Sequence, residues 1–357
     1  MTAAEHTARP APLFSVLVAT YNHAAFVVEA LNSVAAQTDR EFEIVVVNDG
    51  STDETESVLD TWAGRFRPDH GFLVRSSTIN NSGQSAALEH GFSLCSGRYV
   101  CLLDSDDRWR PTKLQAVRAA IMADKDAGMI VHPLEIIDGA GRRTGILRPR
   151  FARLSHGHLH QHMHHSGRHV APATSGVVIR SDLFARLLPM PTRGFSFGAD
   201  AYLTFGASLL APVRAVADVL GEYRIHSSGQ YIQRVLSPEG LRRSVELQAV
   251  IAGHFGMSEA MRRNSLFTRN AFALAKMAEP PSAQWAAFQR LFVATASDSS
   301  FNRVQRALLL GFWTACLLAP RQTFRTLWRT FQLKQTGLDH LVESPAASDA
   351  TNVGIHA

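Results

Sequence analysis

The 357-residue chain is poor in cysteine, in long apolar runs and in low-complexity sequence. Its three cysteines, Cys95, Cys101 and Cys316, are odd in number and widely spaced. That excludes a disulfide framework and a CxxC zinc site, and it suits a reducing compartment. No stretch approaches the ~18 consecutive apolar residues of a spanning helix. The longest candidate, 307–319, is short and is broken by Gly311 and Thr314. Met1 to Pro12 lacks the basic start and apolar run of a secretory signal, so the expected location is cytoplasmic. The glycine and proline content is ordinary, which rules out collagen-like and wholly disordered chains. No internal repeat is visible.

What is present is enough apolar sequence for a large core, in two units or in one α/β domain with an appendage. The net charge of +5 is unevenly divided. Residues 1–130 hold 11 Lys and Arg against 17 Asp and Glu, whereas the remainder is +11. An acidic front half is a poor surface for nucleic acid and a good place for a divalent cation. A basic back half suits an anionic partner, such as a phosphorylated substrate or a membrane surface.

Short β-rich runs alternate with amphipathic segments from Leu13 onward. Strands are expected at Phe14–Ala19, Glu43–Val47, Phe72–Val74 and Tyr99–Leu103. Helices are expected at Ala25–Ala36, from a cap at Ser51 or Asp53 to Trp62, at Gly83–Leu94, and from Pro111 to Ala123. This succession calls for a parallel sheet, whose ligands bind beyond the carboxyl ends of the strands. The polar clusters lie there: Thr20-Tyr21-Asn22, Asn48 to Asp53, and Asp104 to Asp107. Further on, Ser175–Ile179 reads as a strand, Asp182–Leu188 and Ala199–Leu210 as helices, and Val213–Ala217 as a strand. From Pro238 the pattern is helical, with 304–334 forming two halves hinged at Pro320.

Three carboxylates within four residues, Asp104, Asp106 and Asp107, repel one another at a strand end unless a cation joins them. The alternative is a solvated turn in which Asp107 caps the next helix. Asp49, in the Gly-permitted turn Asn48-Asp49-Gly50-Ser51, offers a free carboxylate to a base or ribose, or closes an Asx-turn and caps the helix. Tyr21 offers an aromatic plate.

Together with their spacing, these residues resemble glycosyltransferase family 2, the inverting sugar transferases with the GT-A fold. The likeness runs from Ser15 to about Ser227. It includes Thr20-Tyr-Asn22, Val47-Asn-Asp-Gly-Ser-Thr-Asp53, Asn81-Ser-Gly-Gln-Ser-Ala-Ala87 and Gly97-Arg-Tyr-Val-Cys-Leu-Leu-Asp-Ser-Asp-Asp107, followed by Trp109, Pro111 and Lys113. The resemblance implies nucleotide-sugar contacts from Thr20, Tyr21, Asn22, Asp49, Asn81, Gly83, Asp104 and Ser105. It implies Mg²⁺ or Mn²⁺ on Asp106, and His226 of Tyr223-Arg-Ile-His226 reaching the metal or diphosphate. Asp200 of Gly198-Ala-Asp200 would be the general base, and otherwise caps its helix. Ser175, Gly176 and Trp109 would face the acceptor. Glu89 stands where the family usually has Asn, at a position expected to pack locally.

The expected organisation is a flexible start (1–12), a GT-A domain (13–230), a helical C-terminal region (235–335) and a disordered tail (336–357). Within the domain lie a nucleotide-sugar half (13–125), a His/Arg-rich loop (138–170) and an acceptor half (170–230). Seven histidines fall between His156 and His169; their alternation suggests either a transition-metal face or a mobile acceptor-side loop. Phe301 to Lys334 carries Arg303, Arg306, Arg321, Arg325, Arg329 and Lys334 with no acid, interleaved with aromatics. It reads either as a surface for an anionic membrane or as a packed helix pair with a solvated basic face. The implied reaction is metal-assisted transfer from a nucleotide-diphosphate sugar to a glycan or lipid-linked acceptor, in polysaccharide biosynthesis at the inner face of the membrane. A non-catalytic scaffold and a nucleotidyltransferase are the alternatives.

Overall fold

The β-rich runs of the first hundred residues are apolar on both faces, as strands covered by helices on both sides must be. In the computed structural model they form four adjacent strands on one side of a mixed sheet. Residues 11–66, 71–150, 152–192, 195, 197–226, 236–298 and 301–336 are described. The expected flexible start and disordered tail lie almost wholly outside these residues, as does Ser227.

The chain divides into two units, one of residues 1–132 with 172–222, the other of 133–171 with 223–357. The first unit holds the seven-stranded sheet. Its strands are β1 (Phe14–Thr20), β2 (Phe42–Asn48), β3 (Leu73–Thr78), β4 (Tyr99–Asp104), β6 (Met129–Val131), β9 (Val177–Arg180) and β10 (Val213–Ala215). Between β4 and β6 lies the two-residue β5 (Arg108–Trp109). The sheet order is β10-β6-β9-β4-β1-β2-β3. β1 pairs in parallel with β2 and β4, and β2 with β3. β9 runs antiparallel between β4 and β6, which makes the sheet mainly but not wholly parallel.

The crossovers are α1 (Val27–Ala35), α2 (Thr55–Ala63), α3 (Gln84–Leu94) and α4 (Lys113–Ala123). α1 buries Val27, Ala30, Leu31 and Val34, the face expected from its spacing. α4 begins two residues after Pro111, which was expected at its first position. After the sheet's centre come α6 (Ser181–Arg186) and α7 (Ala199–Leu210). At the other edge of this unit, Gly221 and Glu222 pair with Trp109 and Arg108 as the start of β11 (Gly221–Ile225).

The second unit holds the hairpin of β7 (Leu134–Asp138) and β8 (Arg143–Arg148), the short helix α5 (His160–Ser166) and a helical array. The array comprises α8 (Pro238–His254), α9 (Ser258–Arg262), α10 (Ser265–Ala278), α11 (Pro281–Ser297), α12 (Arg303–Leu318) and α13 (Arg321–Thr336). Phe272, Phe288, Trp313, Phe324 and Trp328 form its aromatic core. The break between α12 and α13 falls at Pro320, as the sequence indicates. Segment 138–170 is corrected from a loop to a strand and a helix. Its inward-facing side is thin in apolar residues: Ile146 for the strand, and Leu159 and Met163 for the helix, so no strong period shows in the sequence.

At the far end of the first unit's strands from the polar clusters, buried Glu43 organises the chain. Its Oε1 accepts from Ser15 Oγ at 2.6 Å and from Ser96 Oγ at 2.9 Å, and Arg75 pairs with its other oxygen. Ser15 Oγ in turn accepts from Gly97 N at 2.8 Å. Removing a buried charge's acceptor strands its donors, so Glu43→Ala is expected to cost about 3–5 kcal/mol. Glu43→Gln, which keeps one acceptor oxygen, is expected to cost about 1–3 kcal/mol. Urea denaturation of both variants, read by far-UV circular dichroism, checks the ranking.

Candidate active site

The carboxyl ends of β1, β2 and β4 come level because of their register. Thr20 is opposite Asn48, and Ala19 is opposite Asp104. Thr20 Oγ1 and Asn48 Nδ2 are buried there and have no hydrogen-bond partner among the described residues. Orphaned polar atoms of this kind mark a place that a water or ligand completes.

The two loops beside them brace each other. Asn22, at φ 53°, accepts the Thr52 N–H on its side-chain oxygen at 2.7 Å, while its own N–H donates to Ser51 Oγ at 2.9 Å. Ser51 therefore ties the loops together instead of capping α2, and Asp53 accepts the Thr55 N–H at 3.0 Å at that helix's start. Asn22 is thus a brace between loops. Tyr21 is 40% exposed and presents its ring as a plate.

Asp49 departs from the free carboxylate expected of it. It is buried, and its oxygens accept the N–H groups of Ser82 at 2.8 Å and Gly83 at 2.9 Å. These bonds hold the 81–83 turn at the start of α3, and Gly83 has φ 86°. Gly50 makes the approach feasible: a β-carbon there would lie 2.6 Å from Asn81 N, at φ +65°. Asn81 and Gly83 are therefore held beside the end of β2.

The acidic turn after β4 is fastened from behind. Ser175 is fully buried in the one-turn helix Thr174–Gly176. Its Oγ accepts the Asp104 N–H at 3.0 Å and donates to Asp107 Oδ2 at 2.6 Å. Its carbonyl accepts from Trp109 Nε1 and from Lys113 Nζ, both at 3.0 Å. Lys113 Nζ also lies 3.3 Å from the centroid of the Trp109 ring. A β-carbon on Gly176 would stand 2.6 Å from the His132 carbonyl oxygen. Ser175, Gly176 and Trp109 are thus buried supports of the turn. Burial, at most 4% exposed for Ser175 and Trp109, leaves them no open surface.

With Asp107 turned inward, Asp106 is left to the strand-end side. A carboxylate oxygen of Asp106 and a ring nitrogen of His23 lie within 4.8 Å of each other. His23 Nδ1 and Ser105 Oγ are 2.7 Å apart, which orients the imidazole. One carboxylate and one imidazole suit a first-row divalent ion such as Mn²⁺. Sequence reasoning missed His23, although it directly follows Thr20-Tyr-Asn22, and it missed the supporting role of Lys113. His226 follows β11 in the second unit, where its Cβ lies 3.5 Å from the β-carbon position of Gly139.

Residues 15–183 match the family model described as Glycosyl transferase family 2. Through this segment the chain belongs to glycosyl transferase family 2. An uncharacterised glycosyltransferase of Nostoc sp. is 30% identical over 218 residues, 61% of this chain and 66% of that one. One of Rickettsia felis is 34% identical over 39% of this chain and 22% of its own length. The chain thus spans from about a fifth to about two thirds of these relatives. Among solved structures, S. aureus TarS (residues 1–349) in complex with UDP-GlcNAc superposes with a TM-score of 0.59 and 20% identity, over 91% of this chain and 92% of that one. The mannosyltransferase PcManGT from Pyrobaculum calidifontis, in complex with GDP-Man and Mn²⁺, gives 0.50 at 20% identity, over 94% and 88%. The fold is GT-A, with a helical C-terminal region.

The family's usual Asn is Glu89 here, and it does not pack locally. Its Oε1 accepts the Met190 N–H at 2.6 Å, 101 residues along the chain. Burial, with the Glu89 charge adding to it, pushes the Tyr202 hydroxyl up to about 12. Glu89 thus bridges α3 to the approach of α7, whose first turn carries half-buried Asp200.

Burial pushes the Lys113 amine down to about 7, against nearby Cys101 and Asp107, which raise it. The unfolded chain therefore binds a proton that the folded one does not, from about pH 7 up to the ordinary lysine range. Stability from this group rises with pH across that window. Lys113→Met is expected to remove the rise: urea midpoints measured at pH 7.0, 7.8 and 8.5 should climb for the parent relative to the variant.

Proposed function

We propose that the chain is an inverting, divalent-metal-dependent glycosyltransferase. It moves a hexose-like sugar from a nucleotide-diphosphate donor to a hydroxyl of a cell-surface glycan or lipid-linked acceptor. The observation that carries this reading is the Asp104–Asp107 turn, level with the ends of β1 and β2 and holding Asp106 beside His23. Relatives named for a teichuronic acid biosynthesis glycosyltransferase of Bacillus subtilis and for a PGL/p-HBAD biosynthesis glycosyltransferase of Mycobacterium bovis support the acceptor class. The ligands in the TarS and PcManGT structures support the donor class.

In this reading Tyr21 stacks the base, the Thr20 hydroxyl donates or accepts at its edge, and the spare lone pairs of Asp49 accept there. Asn81, Gly83, Asp104 and Ser105 line the ribose and diphosphate. Asn22 acts indirectly, by holding the two loops. Asp106 and His23 hold Mn²⁺ or Mg²⁺; His226 is assigned as a further ligand by family resemblance alone. The ion, when bound, supplies positive charge against the departing diphosphate. Asp200 takes the proton of the acceptor hydroxyl on a carboxylate oxygen while the acceptor's oxygen attacks the anomeric carbon and the bond from that carbon to the diphosphate oxygen breaks, so the carbon is inverted.

Among the described residues no helix is long and apolar enough to cross a membrane. α12 nevertheless turns Val304, Leu308 and Leu318 outward, each at least 68% exposed, in a stretch that is basic without a single acid. This supports docking on an anionic bilayer, with apolar side chains entering the interface and arginines meeting the headgroups. Leu308→Glu with Leu318→Glu is expected to abolish co-sedimentation with vesicles rich in phosphatidylglycerol, and to leave the circular dichroism spectrum unchanged.

Titration calorimetry with uridine-, guanosine- and thymidine-diphosphate sugars tests the donor site. One base class should bind in the presence of Mn²⁺, and Asp106→Ala should lose that binding. Asp200→Asn should keep donor binding while transfer slows by about 10²–10⁴-fold. Silence across the panel in folded protein would favour a non-catalytic scaffold.

A further inference from the structure

The histidine run of 156–169 takes no part in the reading above, and the structure gives part of it a definite shape. Residues His160–Ser166 form α5. Its inward side is Met163, fully buried, with Leu159 before it, and the helix packs on α9. Gly167 ends it at φ 65°, with its N–H donating to the Met163 carbonyl. A β-carbon at Gly167 would stand 2.5 Å from the Ala260 carbonyl oxygen, so the helix end is seated directly against α9. Asn264 Nδ2 donates to the Gly167 carbonyl at 2.7 Å, and Ser166 Oγ donates to the His162 carbonyl at 2.8 Å. Next to this end, Arg168 pairs with Asp298. A helix of fewer than two turns is marginal alone; here both its inner face and its end are fixed by packing.

That fixing decides which histidines meet. His160 and His164 share one flank of the helix beside buried Met163, one turn apart, both exposed. Their ring centroids are 4.4 Å apart, with the planes at 47°. Two imidazoles that near can each direct a nitrogen to one ion at roughly 2.0–2.1 Å. No Asp or Glu occurs between Gly139 and Ser181, which disfavours the hard ions Mg²⁺ and Ca²⁺ and favours late first-row ions that prefer neutral nitrogen.

We infer that His160 and His164 form a two-imidazole chelate for a late first-row divalent ion (Cu²⁺, Ni²⁺ or Zn²⁺), separate from Asp106 and from sugar transfer. The remaining coordination positions belong to water. Because both ligands lie on one turn, binding also staples α5 in its helical form, and the second imidazole binds at high effective concentration.

The test is titration calorimetry of the full chain in metal-free buffer at pH 7.5 with Zn²⁺ and Ni²⁺, carried out in the Asp106→Ala background so that the proposed catalytic ion is removed. One ion per chain is expected to remain bound. Either His160→Gln or His164→Gln should weaken it by about 10²-fold, and the double variant should abolish it along with the metal-induced rise in Tm. His156→Gln with His158→Gln should leave it in place, and Mn²⁺ should not compete. Failure to bind either ion, binding that survives the His160/His164 double variant in folded protein, or loss on changing His156 and His158 would each overturn the assignment.

Discussion

The acidic turn after β4 depends on one buried serine. Ser175 arrives some seventy residues after Asp104, at the head of the strand that runs antiparallel between β4 and β6. Its hydroxyl takes the Asp104 N–H and gives its proton to Asp107, while its carbonyl holds Trp109 and Lys113. Four hydrogen bonds at about 1 kcal/mol each, more where a charge takes part, converge on this residue. Their effect is directional as well as stabilising. They settle which of three neighbouring carboxylates faces the core, and so leave Asp106 on the strand-end side. A buried lysine near its neutral form can serve in this support, because its amine donates to a carbonyl without burying a full charge.

The same logic repeats in the loops after β1 and β2. A parallel sheet delivers strand ends to one edge, but the chain beyond each end has no ladder to hold it. Asn22 and Asp49 supply the missing bonds. Each accepts backbone N–H groups from another loop, Asn22 from residue 52 and Asp49 from residues 82 and 83. Gly50 lets the third loop come close enough. Residues that a motif presents as ligand contacts are therefore partly occupied with one another. A rigid frame of this kind lowers the ordering cost of binding any ligand at the strand ends.

The central strands and their helices were legible because their signals are local: apolar runs, a helical period, a cap. α7 was legible to the residue, and the α12–α13 break could be placed from Pro320 alone. β8 and α5 were not, since each turns only one or two apolar side chains inward and relies on distant partners such as Ile225, Leu333 and Ala260. In the site, carboxylates at strand ends could be found by spacing. Burial could not, and it is burial that gives Ser175, Gly176 and Trp109 their supporting place. Glu89 shows the same limit, since its partner is Met190 and no local pattern could name it.

The charge imbalance of the chain is also less direct a guide than its arithmetic suggests. Four of the seventeen acids of residues 1–130 are already paired with arginine. Asp39 and Glu41 pair with Arg118, Glu43 with Arg75, and Glu29, together with Glu222, with Arg108. The Arg118 contact lowers the Asp39 carboxyl below its ordinary range, and hydrogen bonds from Thr55 and Ala24 do the same for Asp53 despite its desolvation. These carboxylates have arginine or backbone partners and do not call for a cation. The case for a metal therefore rests on position: Asp106 stands beside an imidazole at the edge where three strand ends come level. A surplus spread over 130 residues gives only a weak average field, screened within about 10 Å in ordinary salt. A turn fastened through Asp104 and Asp107 by a buried serine instead fixes one carboxylate at a defined place.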